Sequence, residues 1–372
     1  MGLEVLKFGG SSVANVFRIR HVAEIIARRI ALGSRVVVVT SAMQGVTNQL
    51  VDMAGEFCDS CYNREYDAVV SSGEQVAAGL LAMCLCSIGI RAKSLNAWQV
   101  PILAGGGIHS DASISSVNDS KILEELDMGV VPVITGFQGI SGGDVYTIGR
   151  GGSDATACAV ASALHADKCH IYTDVDGVYT ADPRIAINCK RLTHISYDEM
   201  YELSVHGATV LQAKSVLIAK QYNIALSVVS SFSDENSGET IVTDTTDHVS
   251  IKGNIAGIAH HCGLTIAAFK NHDEEPAARD ATCIKRIAEN IYVIPQCVKH
   301  MYDADYDDNV GLVTVVGKGL DNDGITNYIT TAVANRMIDV RPTISGKLTR
   351  SFIVPRLQTE LAVNVIHEAL FH

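Results

Sequence analysis

Apolar residues over roughly the first 230 positions follow two alternating spacings. Short runs rich in Val, Ile and Thr, typical of buried strands, alternate with longer stretches whose apolar residues recur every three or four positions, as in helices. The predicted strands are 3–8, 35–40, 91–96, 130–135, 168–173 and 224–230, and the predicted helices are 16–32, 74–88, 154–165 and 210–222. A hairpin tip is predicted at 142–144. This order predicts βαβ units around a mostly parallel sheet.

The pattern changes between residues 233 and 248, where Ser, Asp, Thr and Asn predominate and predict a domain boundary. Beyond it we predict strands at 255–260, 264–269, 291–298, 311–316, 339–344 and 348–354, and helices at 277–289, 325–336 and 357–370. The elements from 311 onward form a predicted strand-helix-strand-strand-helix unit, with a weaker relative in front of it. We therefore expect two domains, an α/β domain at 1–245 and an α+β domain at 250–372.

Composition narrows the class of protein. Of the 372 residues, 47% are apolar, 19% are charged and only 7 are Pro, which excludes a disordered or low-complexity chain. A formal net charge of -12 makes a broad surface for nucleic acid or anionic membranes unexpected. The N-terminal residues, which include Glu4 and Lys7, do not predict a signal peptide, and no apolar run predicts a membrane span.

The ten cysteines are scattered without a framework spacing, which indicates reduced thiols and a cytoplasmic protein. Cys58 and Cys61 have the CxxC spacing, but no second pair or nearby His pair completes a zinc set. A plain surface helix is expected there, and no metal held by the protein. The expected partners include neither nucleic acid nor a membrane.

Two glycine clusters are placed to bind anions. KFGGSS at residues 7–12 follows the first predicted strand, so backbone N–H groups can approach an anion while Lys7 adds a full charge. GRGGSD at residues 149–154 opens a predicted helix with Ser153 as its expected N-cap, and Arg150 can hold a carboxylate or phosphate through two hydrogen bonds. A tight structural turn is the alternative for both, although it leaves Arg150 unexplained. Two such loops indicate two anionic ligands that face each other.

A third segment, TDVDGVYTADPR at residues 173–184, begins at the C-terminal end of a predicted strand, where open α/β sheets bind ligands. Tyr179 offers an aromatic face for a base, and Arg184 offers a contact for a phosphate. Asx turns alone would explain much of this acidic stretch. The segment indicates a nucleotide only in combination with the two glycine clusters.

These motifs occur in the order seen in aspartate kinases. The resemblance rests on residues 7–13, 40–48, 72–74, 136–137, 149–157 and 173–184, and extends through 196–211 and 229–234. It implies the amino-acid-kinase fold, an α/β three-layer sandwich with a mostly parallel central sheet. The region 250–372 resembles the paired ferredoxin-like ACT modules of this family and implies a homodimer formed through them. Because 271–277 and 342–347 depart from the family's pattern, no lysine or threonine inhibitor site is predicted.

The resemblance implies an ATP-dependent kinase that transfers the γ-phosphoryl group to the β-carboxylate of L-aspartate. The product would be 4-phospho-L-aspartate, the first intermediate toward lysine, diaminopimelate, threonine and methionine. The implied ligands are L-aspartate and MgATP, with Mg2+ carried by the nucleotide phosphates. Because a carboxylate is already ionised at pH 7, this chemistry needs positioning and charge neutralisation but no general base.

Roles carried over to the matching positions make Lys7 and Asp154 catalytic, with Asp154 ordering Lys7 or the phosphates. Glu74 would bind the substrate ammonium and Arg150 its α-carboxylate. The other implied substrate residues are Ser41, Thr47, Phe137 and Ser153. The implied nucleotide residues are Lys7, Phe8, Gly9, Gly10, Ser11, Thr173, Asp174, Tyr179, Asp182, Arg184 and Thr209.

Several alternatives stay open on the sequence alone. Glu74 could be only a first-turn residue favoured by the helix dipole, and Thr47 only an N-cap. Thr209 stands where family members often have Lys, which predicts weaker nucleotide binding. The substrate could be glutamate or a related carboxylate, or the chain could be a weakly active amino-acid sensor, although the retained Lys7 and Arg150 argue against a sensor.

Overall fold

The computed structural model describes residues 2–57, 64–105, 109–233, 238–246, 253–270, 285–288, 290–321, 323–341 and 343–372. The chain divides into two compact units. The first contains Met1–Gly177 and Val210–Asp244, and the second contains Val178–Thr209 and Thr245–His372. The units therefore differ from the predicted domain limits in the segment 178–209, which folds with the C-terminal part of the chain. Cys58, Cys61 and the stretch 271–277 lie outside the described residues.

The elements up to residue 243 are numbered along the chain. The strands are β1 (Leu3–Phe8), β2 (Arg35–Thr40), β3 (Ala92–Leu95), β4 (Ile102–Gly105), β5 (Ser113–Val117), β6 (Val131–Thr135), β7 (Gln138–Ser141), β8 (Asp144–Thr147), β9 (Lys168–Thr173), β10 (His194–Ser196), β11 (Leu226–Ser230) and β12 (Thr240–Thr243). The helices are α1 (Val16–Ala31), α2 (Val46–Gly55), α3 (Arg64–Val70), α4 (Ser72–Ser87), α5 (Ser120–Asp127), α6 (Gly152–Ala163), α7 (Tyr197–Val205) and α8 (Ala213–Gln221). Of these, β10 and α7 belong to the second unit.

The main sheet of the first unit has the strand order β12-β11-β9-β1-β2-β6-β3. Its strands are parallel except β12, which runs antiparallel to β11. The register aligns the C-terminal ends of neighbouring strands, because Phe8 at the end of β1 pairs with Thr40 at the end of β2 and with Tyr172, one residue before the end of β9. The C-terminal ends of the central strands therefore meet at one edge of the sheet, as the alternating pattern predicts.

Side chains on β1 alternate between the two faces of this sheet. Leu6 and Phe8 are fully buried in the core that α1 and α4 form on one face. Val5 and Lys7 point to the opposite face, where α6 packs against β1. The sheet thus lies between helices on both faces, and Lys7 is delivered to the α6 side at the C-terminal end of its strand.

Helix α1 shows how the sequence sets the limits of one of these elements. Asn15 caps its N-terminus, since the Asn15 side chain accepts a hydrogen bond of 3.0 Å from the Arg18 N–H. Its buried residues, Ile19, Val22, Ala23, Ile25 and Ile26, recur at helical spacing and form one apolar face. Gly33 then adopts a φ of +93°, which ends the helix and turns the chain into β2.

A smaller four-stranded sheet, in the order β5-β4-β7-β8, completes the first unit. The hairpin between β7 and β8 turns at Gly142 and Gly143, both with positive φ, so the predicted hairpin tip is confirmed. The sequence pattern did not predict β4, β5 or the short helices α2, α3 and α5. These elements are only four to ten residues long, and spacing over so few positions does not distinguish a helix from a strand.

The chain after residue 253 contains eight strands and two α-helices among its described residues. The strands are β13 (Ile255–His261), β14 (Leu264–Phe269), β15 (Lys285–Ala288), β16 (Ile291–Pro295), β17 (Ala304–Asp307), β18 (Gly311–Gly317), β19 (Ile344–Ser345) and β20 (Thr349–Val354). The helices are α9 (Asp323–Ala334) and α10 (Thr359–Phe371). The strands form two four-stranded antiparallel sheets, one in the order β13-β18-β20-β19 and the other in the order β15-β16-β14-β17. The predicted class, an α/β unit with a mostly parallel sheet and an α+β region, is confirmed.

Three details of the second unit differ from the sequence prediction. Strand β13 pairs with β18, so it belongs to the sheet of β18, β19 and β20. The sequence pattern had predicted it in the preceding module, with β14 and β16. Lys285–Ala288 is a strand where the end of a helix was predicted, because Asn290 at a φ of +61° turns the chain back into β16. The strand predicted at 339–344 is reduced to Ile344–Ser345.

The core of the second unit lies under α9 and α10. Ile258, Val313 and Phe352 are buried there, together with Ala181 and Ala186 of the segment 178–209. That segment is fixed by backbone and side-chain contacts, since Ile258 N–H donates to Thr180 O at 2.8 Å and Thr180 Oγ1 lies 2.8 Å from His367 Nε2. These contacts explain why residues 178–209 fold with the C-terminal region.

By length and apolar composition alone, one helical stretch of the described residues, Arg64–Ser87, could cross a membrane. Half of its most apolar window is buried inside the protein, and its Asp67 and Glu74 are buried charged residues. A core helix of a globular unit passes the same test. In this structure the stretch forms the helical pair α3 and α4 of the first unit.

Candidate active site

The candidate site lies at the sheet edge where the parallel strands end. Gly9, Ser41, Gly136 and Asp174 directly follow β1, β2, β6 and β9, respectively. Backbone bonds tie these exits together, since Ser41 N–H donates to Phe8 O at 3.0 Å and Gly136 N–H donates to Thr40 O at 2.9 Å. The strand ends thus form a fixed platform from which several loops rise.

A cavity of about 410 Å3 opens above this platform, within the first unit. Its lining residues come from six separate stretches of sequence. They are Lys7, Gly10, Ser41, Ala42, Met43, Gln44, Gly45, Thr47, Asn48, Glu74, Phe137, Gly149, Arg150, Gly151, Gly152, Ser153, Asp154 and Gln212. The cavity therefore brings together both predicted catalytic residues and all six predicted substrate residues.

Lys7 and Asp154 form an ion pair inside the cavity. The distance between Lys7 Nζ and Asp154 Oδ1 is 2.6 Å, and each side chain is only 10% exposed. Lys7 comes from the end of β1, and Asp154 comes from the first turn of α6. The pair places one positive charge beside the glycine loop, since a Cβ added to Gly9 would lie 3.4 Å from Lys7 Nζ.

The loop after β1 is shaped by backbone contacts. Gly9 N–H donates to Tyr172 O at 3.2 Å, and Ser12 N–H donates back to Gly9 O at 2.9 Å. A Cβ on Gly10 would come within 3.0 Å of Ala42 O, so the loop after β2 packs directly on it. The Phe8 side chain does not enter the cavity, because it is fully buried and stacks on Tyr172 at 4.6 Å.

Glu74 is a buried carboxylate with one oxygen bonded and one unpartnered. Its Oε1 accepts a hydrogen bond of 3.0 Å from Ala42 N–H, whereas Oε2 has no hydrogen-bond partner among the described residues. Burial raises the pKa of Glu74 from its ordinary value of 4.5 to about 7, and the backbone hydrogen bonds offset only part of this rise. An unsatisfied buried carboxylate facing a cavity is suited to receive a cation.

The second glycine cluster forms the start of α6. Gly151 is the N-cap with a φ of +76°, so Ser153 lies inside the first turn and the prediction of Ser153 as N-cap is wrong. A side chain at Gly151 would collide with Gln212, because a Cβ there would lie 2.2 Å from Gln212 Cγ. Only glycine combines this backbone conformation with such a close approach. The first-turn N–H groups and the positive end of the α6 dipole consequently face the cavity.

Arg150 and Phe137 line the cavity beside this helix start. Arg150 is exposed, so its guanidinium is available to a ligand at the mouth. Phe137 has a φ of +67°, a rare conformation for a bulky residue, and its N–H donates to Thr156 Oγ1 at 3.2 Å. Thr47 lies in the first turn of α2, whose N-cap is Gly45, so the alternative of Thr47 as an N-cap is wrong.

Sequence reasoning gave no role to several cavity residues, among them Met43, Gln44, Asn48 and Gln212. The first three lie within the motif 40–48, so that motif was the available signal. Gln212 lies just outside the motif 196–211. Its packing against Gly151 depends on a contact between α6 and α8 that adjacent sequence does not reveal.

The residues predicted to hold the nucleotide fall into two groups. Thr173 and Asp174 lie at the end of β9 in the first unit, where Thr173 Oγ1 donates to Asp174 Oδ1 at 3.1 Å. Tyr179, Asp182, Arg184 and Thr209 belong to the second unit. There Arg184 donates to both oxygens of Asp182, and these bonds lower the pKa of Asp182. The assignment of both groups to a nucleotide stays a prediction.

Across the described residues, no three His, Cys, Asp or Glu side chains are grouped so that they could hold a metal ion. Asp154, the carboxylate nearest to Lys7, is already paired with its ammonium.

Comparison with known sequences places these features in context. The sequence model of the amino acid kinase family matches residues 2–230. The aspartokinase of Pseudomonas aeruginosa is 36% identical over an alignment that covers 99% of this chain and 97% of that protein. The aspartokinase of Geobacillus stearothermophilus is 34% identical over 99% of this chain and 97% of its own length.

Solved structures show the same likeness. Escherichia coli aspartokinase III in complex with aspartate and ADP, in its R-state, matches with a TM-score of 0.83 over 100% of both chains at 22% identity. The aspartate kinase from Synechocystis matches with a TM-score of 0.58 and 29% identity, over 99% of this chain and 69% of that one. The first of these supports the fold alone.

Proposed function

Because this chain belongs to the amino acid kinase family and, within it, to the aspartokinases, we propose that its cavity holds L-aspartate between Glu74 and Arg150. An aspartokinase transfers the γ-phosphoryl group of ATP to the β-carboxylate of L-aspartate, and 4-phospho-L-aspartate and ADP are the products. The relatives that align over nearly the whole chain are aspartokinases, which favours aspartate over the glutamate alternative.

The observation that carries this proposal is the unpartnered Oε2 of Glu74. A buried carboxylate costs free energy unless a cation or donor reaches it, and the α-ammonium of an amino acid supplies both charge and hydrogen bonds. Arg150, exposed on the Gly149–Gly152 turn, supplies the matching guanidinium for the α-carboxylate. With both groups engaged, the β-carboxylate is left to point toward Lys7 and the start of α6.

The reaction then requires two anions to approach each other. The β-carboxylate is ionised at neutral pH and needs no base, so the protein contributes position and positive potential. Lys7 is held by its ion pair with Asp154, and the N–H groups of its ammonium can donate to the charge that develops on the transferred phosphoryl group. The first-turn N–H groups of α6 add further positive potential at the same end of the cavity.

The positions of the nucleotide and its metal are proposed from the loops of the same cavity. Gly10 and Ser11 would contact the phosphates through their backbone N–H groups, while Gly9, whose N–H is bonded to Tyr172 O, would let the phosphates approach the loop closely. Thr173 and Asp174 would border the nucleotide in the first unit. The nucleotide roles that the resemblance implies for Tyr179, Asp182, Arg184 and Thr209 stay predictions. Mg2+ bound to the phosphate oxygens would supply the remaining charge neutralisation.

Assembly and location remain proposals. The two antiparallel sheets of the second unit would serve as ACT-like regulatory modules, residues 250–372, appended to a catalytic domain at 1–245. Their edge strands, such as β15 and β19, offer backbone groups that could pair with a second copy, which supports a homodimer. The cytoplasmic location predicted from the sequence stays a prediction.

Trapping the product with hydroxylamine tests the substrate assignment. Purified protein with MgATP and L-aspartate should give an aspartyl hydroxamate, and L-glutamate should give much less. Glu74→Gln should weaken L-aspartate binding, measured by calorimetry, while ADP binding stays unchanged. Faster hydroxamate formation with L-glutamate would contradict the assignment, and unaltered L-aspartate binding by the Glu74 variant would remove that residue from the site.

A further inference from the structure

Asp67 is a fully buried carboxylate with hydrogen-bond donors from distant parts of the chain. Its Oδ1 accepts a hydrogen bond of 2.6 Å from Thr147 Oγ1, and its Oδ2 lies 2.7 Å from His109 Nδ1. The N–H of Ser110 is 3.1 and 3.2 Å from the two oxygens. One side chain on α3 therefore holds both the loop before β5 and the end of β8.

The loop that Asp67 holds is strained. Ser110 has a φ of +69°, which is uncommon for a residue other than glycine and persists only where the surroundings fix it. The Asp67 carboxylate accepts the hydrogen bond from this residue's own N–H. Beside it, the His109 ring stacks on Tyr146 of β8 with the ring centroids 4.0 Å apart. The loop at 109–111 is consequently locked in one shape.

This loop supports the turn that carries Arg150. A Cβ added to Gly149 would lie 2.6 Å from Asp111 Oδ1 and 3.1 Å from Ser110 O, so the two segments are in close contact. Lys214 pairs with Asp111 and lies 3.4 Å from Ile148 O, which ties the turn to α8. Thr147, the other residue bonded to Asp67, is only three positions before Arg150. Asp67 therefore bonds to both segments that support the turn, the 109–111 loop and the end of β8.

Asp67 also stands in a fixed relation to Glu74. The Ser71 N–H donates to Asp67 O at 3.0 Å, so the helical path continues from α3 into α4. Seven residues correspond to about two turns, or about 10 Å along a helix axis. Gln138 Nε2 donates to Ser71 O at 2.7 Å and braces the junction between the two helices.

We infer that Asp67 is a positioning residue that sets the separation between Glu74 and Arg150, and with it the affinity for the ammonium and α-carboxylate of L-aspartate. The inference rests on the proposed roles of Glu74 and Arg150. Because Asp67 does not line the cavity, it acts through the 109–111 loop and the Gly149–Gly152 turn. Its loss should weaken amino-acid binding without altering nucleotide binding or the chemical step.

Two variants of the network and a control test this inference. Asp67→Asn keeps the volume of the side chain and removes its charge, and Thr147→Val keeps the volume and removes one donor. Thr147→Ser retains the hydroxyl and should behave like the wild type. Glu125→Gln is the matched control, because Glu125 is also a buried carboxylate of the first unit, bonded to Lys93 and Lys121 and absent from the cavity lining.

Calorimetric Kd for L-aspartate and for ADP, together with kcat and KM, are the readouts. Asp67→Asn should raise the Kd and KM for L-aspartate on the order of tenfold, with kcat and ADP binding within about twofold of wild type. Thr147→Val should shift the same constants in the same direction, and Glu125→Gln should leave them unchanged. A lower Tm with wild-type L-aspartate affinity would overturn the inference, as would equal losses in L-aspartate and ADP binding.

The proposed substrate site is tested separately by Glu74→Gln. If that variant binds L-aspartate like the wild type, the proposed site is wrong whatever Asp67→Asn does. If Glu74→Gln weakens binding but Asp67→Asn does not, the site stands and the positioning role of Asp67 fails.

Discussion

Lys7 Nζ lies 2.6 Å from Asp154 Oδ1, and the side chains of these two residues are each only 10% exposed. An ion pair this buried couples function to stability, because removing one partner leaves the other charge without compensation. We expect Lys7→Met to lower kcat on the order of 100-fold or more, with little change in L-aspartate affinity. The same variant should unfold at a lower urea concentration.

A double variant separates these two effects. Lys7→Met combined with Asp154→Asn removes both charges, so it should recover much of the lost stability while activity stays low. Urea unfolding and the hydroxamate assay, run on the wild type, both single variants and the double variant, complete the cycle. Wild-type turnover by Lys7→Met would contradict the catalytic role of Lys7.

The pH dependence of L-aspartate binding should report Glu74. Its pKa of about 7 in the ligand-free protein means that the carboxyl becomes neutral as the pH falls below 7 and no longer attracts an ammonium. We expect the KM for L-aspartate to rise about tenfold per pH unit below that value and to be flat above it. The KM for ATP measured in parallel is the control, and a Glu74→Gln variant should lack the rise.

Glu74→Gln should also stabilise the empty protein at alkaline pH. A carboxyl whose pKa is higher in the folded than in the unfolded state favours folding at low pH, and this contribution is lost as the pH rises from about 4.5 through 7. The rise in pKa corresponds to about 3 kcal/mol, so at pH 8 the variant should be more stable by up to that amount. Urea unfolding at pH 8 and pH 4.5 checks this, and the difference should vanish at the lower pH.

His170 should make the protein sensitive to acid. This residue of β9 is 2% exposed, and neither ring nitrogen has a hydrogen-bond partner among the described residues. Burial, helped by the charges of Arg29 and Lys168, lowers its pKa from 6.5 to about 3. A lowered histidine pKa contributes stability above pH 6.5 that is lost as the pH falls, about 3 kcal/mol by pH 4.

Replacing the ionisable ring tests this sensitivity. His170→Phe keeps an aromatic ring but cannot be protonated. The stability of the variant relative to wild type should therefore increase as the pH falls from 7 to 4. His165 is exposed and has a positive φ that Asn tolerates, so His165→Asn is the control and should show no such trend. Parallel stability profiles for wild type and His170→Phe would contradict the prediction.

The sequence predicted the first unit well because its signals are local. Strands β1, β2 and β9 were predicted with their observed limits, the first glycine cluster was expected at the end of a strand, and the second was expected at the start of a helix. The parallel register then brings Lys7, Glu74 and Arg150 into one cavity, which makes the site a consequence of the fold class. The amphipathic spacing of α1 and its Asn15 cap are also local signals, because each depends only on residues close together in the sequence.

What the sequence did not reveal depends on contacts between distant residues. Asp67 looks like an ordinary polar residue of a short helix, because its partners His109 and Thr147 are 42 and 80 positions away. The N-cap of α6 was assigned to Ser153 because serine caps are common, whereas the close approach of Gln212 requires glycine at position 151. The pairing of β13 with β18 likewise joins residues separated by more than 50 positions.

That pairing has an architectural consequence. His261 at the end of β13 lies opposite Leu312 near the start of β18, so the chain leaves one sheet and re-enters it at adjacent points. The β14–β17 sheet is thus an insertion between β13 and β18, which would otherwise form a simple hairpin. A segment connected in this way can be exchanged or shortened without rethreading the host sheet, so its sequence can diverge while the parent sheet keeps its topology.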